Sequence, residues 1–214
     1  YLPRLVQLIR RDRMFLRVNV SRLLIGLSGL ASPFFAVYAI RELNLPEGDV
    51  GWFAIAQTIG LAIAGLVFGT LAERRGAVSV VRIVGGVYLA APVFVLAAGA
   101  LGGNPGPATV LTAAAFLLLG MGDGSIMLGF LNYILDISPP DQRPVYIGLT
   151  NTLAGITVLY PFLGGALVVW GGYWVVFVLA AVGIAAGWAV GASLPANPAN
   201  PQENDRTQST SSPR

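Results

Sequence analysis

Six long apolar stretches dominate this chain, and their length decides which solvent it can fold in. A helix needs about 20 apolar residues to cross the hydrocarbon core of a bilayer, with a usual range of about 17 to 25. Shorter or irregular crossings leave backbone groups unpaired in lipid, at several kcal/mol each. Residues 23–40, 50–72, 78–101, 108–137, 145–170 and 173–194 satisfy that length. With 55% hydrophobic and 11% charged residues, a soluble fold has no means of hiding so much apolar surface. The sequence therefore predicts an all-α membrane protein, a bundle of six transmembrane helices over 23–194, living in a lipid bilayer.

Breaks between the stretches carry their own signals. Asn44, Pro46, Gly48 and Asp49 interrupt the chain before the second stretch, and residues 102–107 separate the third from the fourth. Pro139 and Pro140 end the fourth, because proline disfavours helix on its N-terminal side. Gly171 and Gly172 make the last hairpin. Connections this short place sequential helices antiparallel as neighbours. Pro33 and Pro161 predict kinks, or backbone bonding loosened one turn earlier.

Arginine is the sole cationic residue, and its distribution predicts orientation. Arg4, Arg10, Arg11, Arg13, Arg17 and Arg22 precede the first stretch; Arg74, Arg75 and Arg82 fall between the second and third; Arg143 lies between the fourth and fifth. Arg206 and Arg214 lie in the tail, and only Arg41 falls on the other side. The positive-inside rule then puts both termini in the cytoplasm, with Tyr38, Trp52, Trp170, Tyr173 and Trp174 as the outer aromatic belt. Residues 1–22 read as a cytoplasmic Arg-rich linker. Within it, 5–17 interleaves apolar residues with arginine as an interfacial helix does, either as a lipid-responsive linker or as a topology signal resting on the membrane. Residues 195–214, rich in Pro, Asn, Ser and Thr, are expected to be a disordered cytoplasmic tail. A start at Tyr1, without Met, suggests a truncated or processed piece with an upstream half missing.

Cysteine, histidine and lysine are absent. Their absence removes thiolate and imidazole nucleophiles, the usual soft metal sites, Schiff-base chemistry and the phosphate-binding lysine of P-loops. The expectation is no enzyme, no cofactor, no metal and no nucleic-acid partner.

Gly69-Thr70-Leu71-Ala72-Glu73-Arg74-Arg75-Gly76 describes a close helix packing followed by a tight charged turn. The string resembles the cytoplasmic loop motif of the major facilitator superfamily: Gly, three residues, an acidic residue, Arg, any residue, Gly. Glu73 stands where Asp is usual. Pro139-Pro140-Asp141-Gln142-Arg143-Pro144-Val145-Tyr146-Ile147-Gly148 resembles the family's turn between the fourth and fifth helices of a half. The resemblance implies the C-terminal six-helix half, a 3+3 repeat, of a twelve-helix transporter working by alternating access. It implies a plasma-membrane location, a small-molecule substrate, and as partner the missing N-terminal half or a second copy of this chain.

The charged turn also has a mechanical reading. Glu73 accepts hydrogen bonds at the N-terminus of the fifth helix while Arg74 or Arg75 pairs with Asp136, beside Arg143, as a cytoplasmic latch framed by Gly69 and Gly76. The alternative is a solvated turn whose arginines only set topology.

Asp123 is the one acidic residue deep in an apolar stretch, where ionisation costs at least about 2.5 kcal/mol and marks a cavity, a partner or a protonatable group. No cationic residue is expected at similar depth, so its partner is the missing half, water, a substrate or a proton. Direct substrate or ion contact, proton coupling and an interhelical hydrogen bond all remain open. At 100° per residue Asn132 falls on the opposite face, leaving Gly122, Ser125 and Gly129 as a packing stripe unless the glycines bend the helix. Ser32 is the preferred companion of Asp123, with Gln57 and Tyr160 as weaker pathway candidates for which interhelical packing is the stronger reading. The expected function is secondary active transport of a small solute, with proton coupling left open. A non-transport six-helix scaffold or lipid-handling subunit is the alternative.

Overall fold

The computed structural model describes residues 12–101 and 104–196, and its described elements are helical. They are α1 (Arg13–Ile25), α2 (Ser28–Arg41), α3 (Asp49–Arg75), α4 (Ala77–Ala100), α5 (Pro105–Ile126), α6 (Asn132–Ile137), α7 (Arg143–Ala154) and α8 (Tyr160–Ala192). A π-helical segment, Met127–Leu131, joins α5 to α6, and a 3-10 segment, Gly155–Leu159, joins α7 to α8. Expectations for residues 1–11 and 197–214, which include most of the interfacial segment and of the tail, lie outside the described residues.

Five stretches are long and apolar enough to cross a membrane: Arg13–Arg41, Asp49–Arg75, Ala77–Ala100, Pro105–Ile137 and Arg143–Ala192. The first differs from expectation at its start. Asp12 caps α1, its Oδ1 accepting from the backbone N–H of Met14 at 2.9 Å and of Phe15 at 3.0 Å, so the helix begins at Arg13 rather than at residue 23. Arg13, Arg17 and Arg22 consequently belong to the first apolar stretch instead of preceding it.

The last stretch is 50 residues, which as one straight helix would be about 75 Å long against a hydrocarbon core of about 30 Å. Its contacts show that it is not straight. Thr157 lies against Gly26 and Gly164 against Leu30 and Phe34, so this part runs parallel to α1 and α2. Beyond Gly172, Tyr173 packs on Tyr38, Phe177 on Phe35, Gly183 on Leu27, Gly187 on Ile25 and Gly191 on Ser21, in the opposite order. The chain reverses at Gly172, whose φ of 77° and ψ of 177° lie outside helical space and favour glycine.

Proline accounts for two other irregularities. Helix bonding slips at Gly26–Leu27, where the amides of Gly29 and Leu30 reach the carbonyls of Gly26 and Leu27, one turn before Pro33 removes a donor. Pro161 similarly follows the 3-10 segment Gly155–Leu159. The fourth stretch ends where expected: Ser138 turns extended ahead of Pro139 and Pro140.

The core forms where small residues admit close approach. α3 and α5 run parallel, Phe53 stacking on Phe116 at 5.3 Å, Gly60 meeting the Leu117 main chain, Gly120 the Gln57 main chain, and Gly124 packing on Ala64. α4 runs antiparallel to α5 along the expected stripe, with Gly122 under the Tyr88 ring and Gly129 against Val80 and Val81. One aromatic expectation is corrected: Tyr38 is 6% exposed and packs on Tyr173 and Phe177, because its ring fills the space left by Gly99. Trp52, Trp170 and Trp174 are exposed, as are Leu66, Val110, Val158, Phe162 and Val169, a surface suited to lipid or to another apolar bundle.

Candidate functional site

A cavity of about 230 Å³ opens between α1–α2, α4, α5 and the α7–α8 junction. Its polar lining comes from Arg22, Ser28, Ser32, Tyr88, Asp123 and Thr157, and Leu119 and Ile126 supply apolar wall. Two backbone irregularities border it. Gly26 and Gly29 lie at the α1–α2 slip, and Ala154 and Thr157 at the 3-10 segment, so the space exists where two helices depart from regular winding.

Asp123 sits on α5 roughly 27 Å along the axis from Pro105. Buried Tyr88 donates its hydroxyl to Oδ1 at 2.8 Å, and Gln57 donates Nε2 to Oδ2 at 3.3 Å. Both carboxylate oxygens thus have a neutral donor, one from α4 and one from α3. Asp123 is itself exposed, so the cavity is open along this wall. The three helices that carry the cluster meet through glycines, which holds the acceptor and its donors at fixed spacing.

The expectation that no cation shares this depth is overturned. Arg22 lines the same cavity, roughly 14 Å along the helix from Arg13, and Tyr88 lies within its electrostatic reach. Its buried Nη1 has no hydrogen-bond partner among the described residues. Hydropathy placed Arg22 outside the stretch because a guanidinium lowers any local average. The usable signal was Asp12, an N-cap residue directly ahead of an apolar periodicity.

Of the other expected pathway residues, Ser32 lines the cavity with Asp123, and Gln57 reaches it by binding Asp123. Tyr160 does not line it; its hydroxyl donates to the Leu23 carbonyl at 3.3 Å, tying α8 to α1. Tyr88 was missed, since one tyrosine in an apolar helix carries no distinguishing pattern. Asn132 donates to the Leu128 carbonyl at 3.2 Å. The π segment between it and Asp123 winds fewer degrees per residue than an α-helix, so the two are not related by the straight-helix half turn.

At the charged turns, Gly69 lies in α3, and Glu73, Arg74 and Arg75 are exposed at its end. Gly76 closes the helix with a φ of 78°. Asp136 is exposed in α6, and the cation acting on it is Arg143, across the short turn. Arg82, counted with this loop although it falls inside the 78–101 stretch, lies within α4, where Nη2 donates to the Leu194 carbonyl at 2.6 Å.

A family model described as Major Facilitator Superfamily matches residues 21–213. The chain belongs to the major facilitator superfamily. Membership, together with the apolar helices, makes it an integral membrane protein. An uncharacterized MFS-type transporter of Mycobacterium tuberculosis is 30% identical over 168 residues, 78% of this chain and 28% of that protein. The efflux pump aflT of Aspergillus parasiticus is 31% identical over 119 residues, 55% of this chain and 22% of that protein. The matched regions thus make up roughly a quarter of each relative's length. No solved structure matches the chain.

Proposed function

We propose that this chain is part of a secondary active transporter that moves a small solute by alternating access, with Asp123 at the solute or proton pathway. The observation that carries the reading is a carboxylate within an apolar bundle, held by Tyr88 and Gln57 and facing an open cavity with Arg22, Ser32 and Thr157. Charged groups at such depth are costly and accompany solute or proton passage. The reversal at Gly172 supports counting six spans, a 3+3 half with residues 1–22 and 195–214 at its ends. The open wall at Asp123 suits apposition of a second half, either an upstream segment or another copy. Arginine distribution supports cytoplasmic termini, and the plasma membrane is the location that goes with this reading. The printed name of the Aspergillus parasiticus relative favours export. The turn residues Glu73, Arg74 and Arg75, with Asp136 and Arg143, form a cytoplasmic latch in this reading.

A test exploits the absence of cysteine from the chain. Ser32→Cys, in the complete transporter made cysteine-free, is expected to react with a membrane-impermeant maleimide from each face of the membrane in turn. Pairing it with Asp136→Ala should shift reaction toward the cytoplasmic face. Reaction from one face only, under every gradient, would rule out alternating access.

A further inference from the structure

We infer that the Arg22 wall of the cavity binds the anionic end of the transported solute, a carboxylate or a group of equal size and charge. The inference rests on the transport reading above and adds to it a substrate class.

Arg82 and Arg22, which both lie within apolar helices, are used differently. Arg82 is anchored: although its Nε lacks a partner, Nη2 donates to the Leu194 carbonyl at 2.6 Å, and its own carbonyl accepts from the Trp188 indole at 2.6 Å. These bonds fasten α4 to the end of α8, a structural task. Arg22 faces a cavity, and its buried Nη1 bonds nothing among the described residues. A guanidinium keeps its charge at any accessible pH, so it cannot escape desolvation by losing a proton. The nearby acid does not supply the missing acceptor: Asp123 accepts from Tyr88 and Gln57, and no hydrogen bond joins it to Arg22 Nη1.

The surroundings suit a compact anion. The planar guanidinium fork matches the two oxygens of a carboxylate. Ser28 and Ser32 bring hydroxyl donors to the same lining, whereas the Thr157 hydroxyl donates to the Ala154 carbonyl at 2.7 Å and offers an anion no donor. Leu119 and Ile126 offer apolar wall to the remainder of a small organic acid. Asp123 lies in the same cavity, so the site discriminates by charge: an anionic end is drawn to Arg22, and a neutral or cationic part of the solute is tolerated toward Asp123.

The experiment uses the Ser32→Cys complete transporter and measures how fast the impermeant maleimide reacts. Acetate, butyrate and benzoate are compared with acetamide, butyramide and benzamide at constant ionic strength. At least one carboxylate should slow the reaction where its amide does not. Arg22→Gln should raise the half-protecting concentration about tenfold or more, as expected for losing a charged hydrogen bond. Arg22→Lys, which keeps the charge without the fork, should fall between. If the introduced thiol reacts from both faces but no carboxylate protects better than its amide, or protection survives Arg22→Gln, the inference is overturned and the transport reading stands. If the introduced thiol never reacts, the transport reading fails and carries the inference with it. Should Arg22→Gln not accumulate, Arg22→Lys decides: protection equal to that of the unsubstituted arginine overturns the proposal.

Discussion

The α3–α5 pair and the α1–α2/α7–α8 pair both belong to stretches apolar enough to cross a membrane but are built on opposite principles. In the first, Gly60, Gly120 and Gly124 bring main chain against main chain, and both helices stay regular through the contact. In the second, regular winding fails on both sides, at Gly26–Leu27 and at Gly155–Leu159, and the cavity opens between the failures. Asp123 and Gln57 stand on the close-packed pair, Arg22, Ser32 and Thr157 on the irregular one. The difference teaches that the carboxylate is held by a close-packed frame while the cationic wall sits beside two breaks in regular winding, where motion is expected.

The comparison breaks most readily at Gly120. A β-carbon there runs into the Gln57 main chain, which has no flexible end to yield, so Gly120→Leu should cost about 3 kcal/mol or more and abolish accumulation in the membrane. Normal yield and unfolding temperature of the purified transporter would show that the α3–α5 seam is not rigid. Tyr88→Phe should have an intermediate effect, about 1 kcal/mol for the lost hydrogen bond to Asp123. Combined with Asp123→Asn its effect should be non-additive; strict additivity in a double-mutant cycle would mean the two do not act together. Gly29→Ala, on the irregular pair, should change stability by no more than about 0.5 kcal/mol, since its nearest neighbour is Tyr160 Cβ at 3.9 Å. A loss as large as that of Gly120→Leu would erase the distinction between the two seams.

Much of this architecture is legible in the residue order. The apolar blocks, the break at Pro139–Pro140, the glycine turn at 171–172 and the loosening ahead of Pro33 and Pro161 follow from local chemistry that acts the same way in any context. Asp123 was legible for the same reason, because one carboxylate in an apolar stretch has few explanations. Arg22 was not, since the rule that finds spans by hydropathy penalises the very residue that enters one. Tyr88 and Tyr38 were illegible in another way: whether a tyrosine faces a carboxylate, a glycine gap or the headgroups depends on the neighbouring helix. The separation of Asp123 from Asn132 held, since Asn132 does not line the cavity, but the exact phase between them was not legible because a five-residue π segment changes the winding that a regular helix would keep.

The turn at Gly172 also bears on how the protein is made. With almost no residues between the apolar run that ends there and the one that begins there, neither can partition into lipid while the other waits in water. The two are therefore expected to enter the bilayer together as a helical hairpin, and a nascent chain halted shortly after Gly172 is expected to hold its latest span less firmly than the finished protein does.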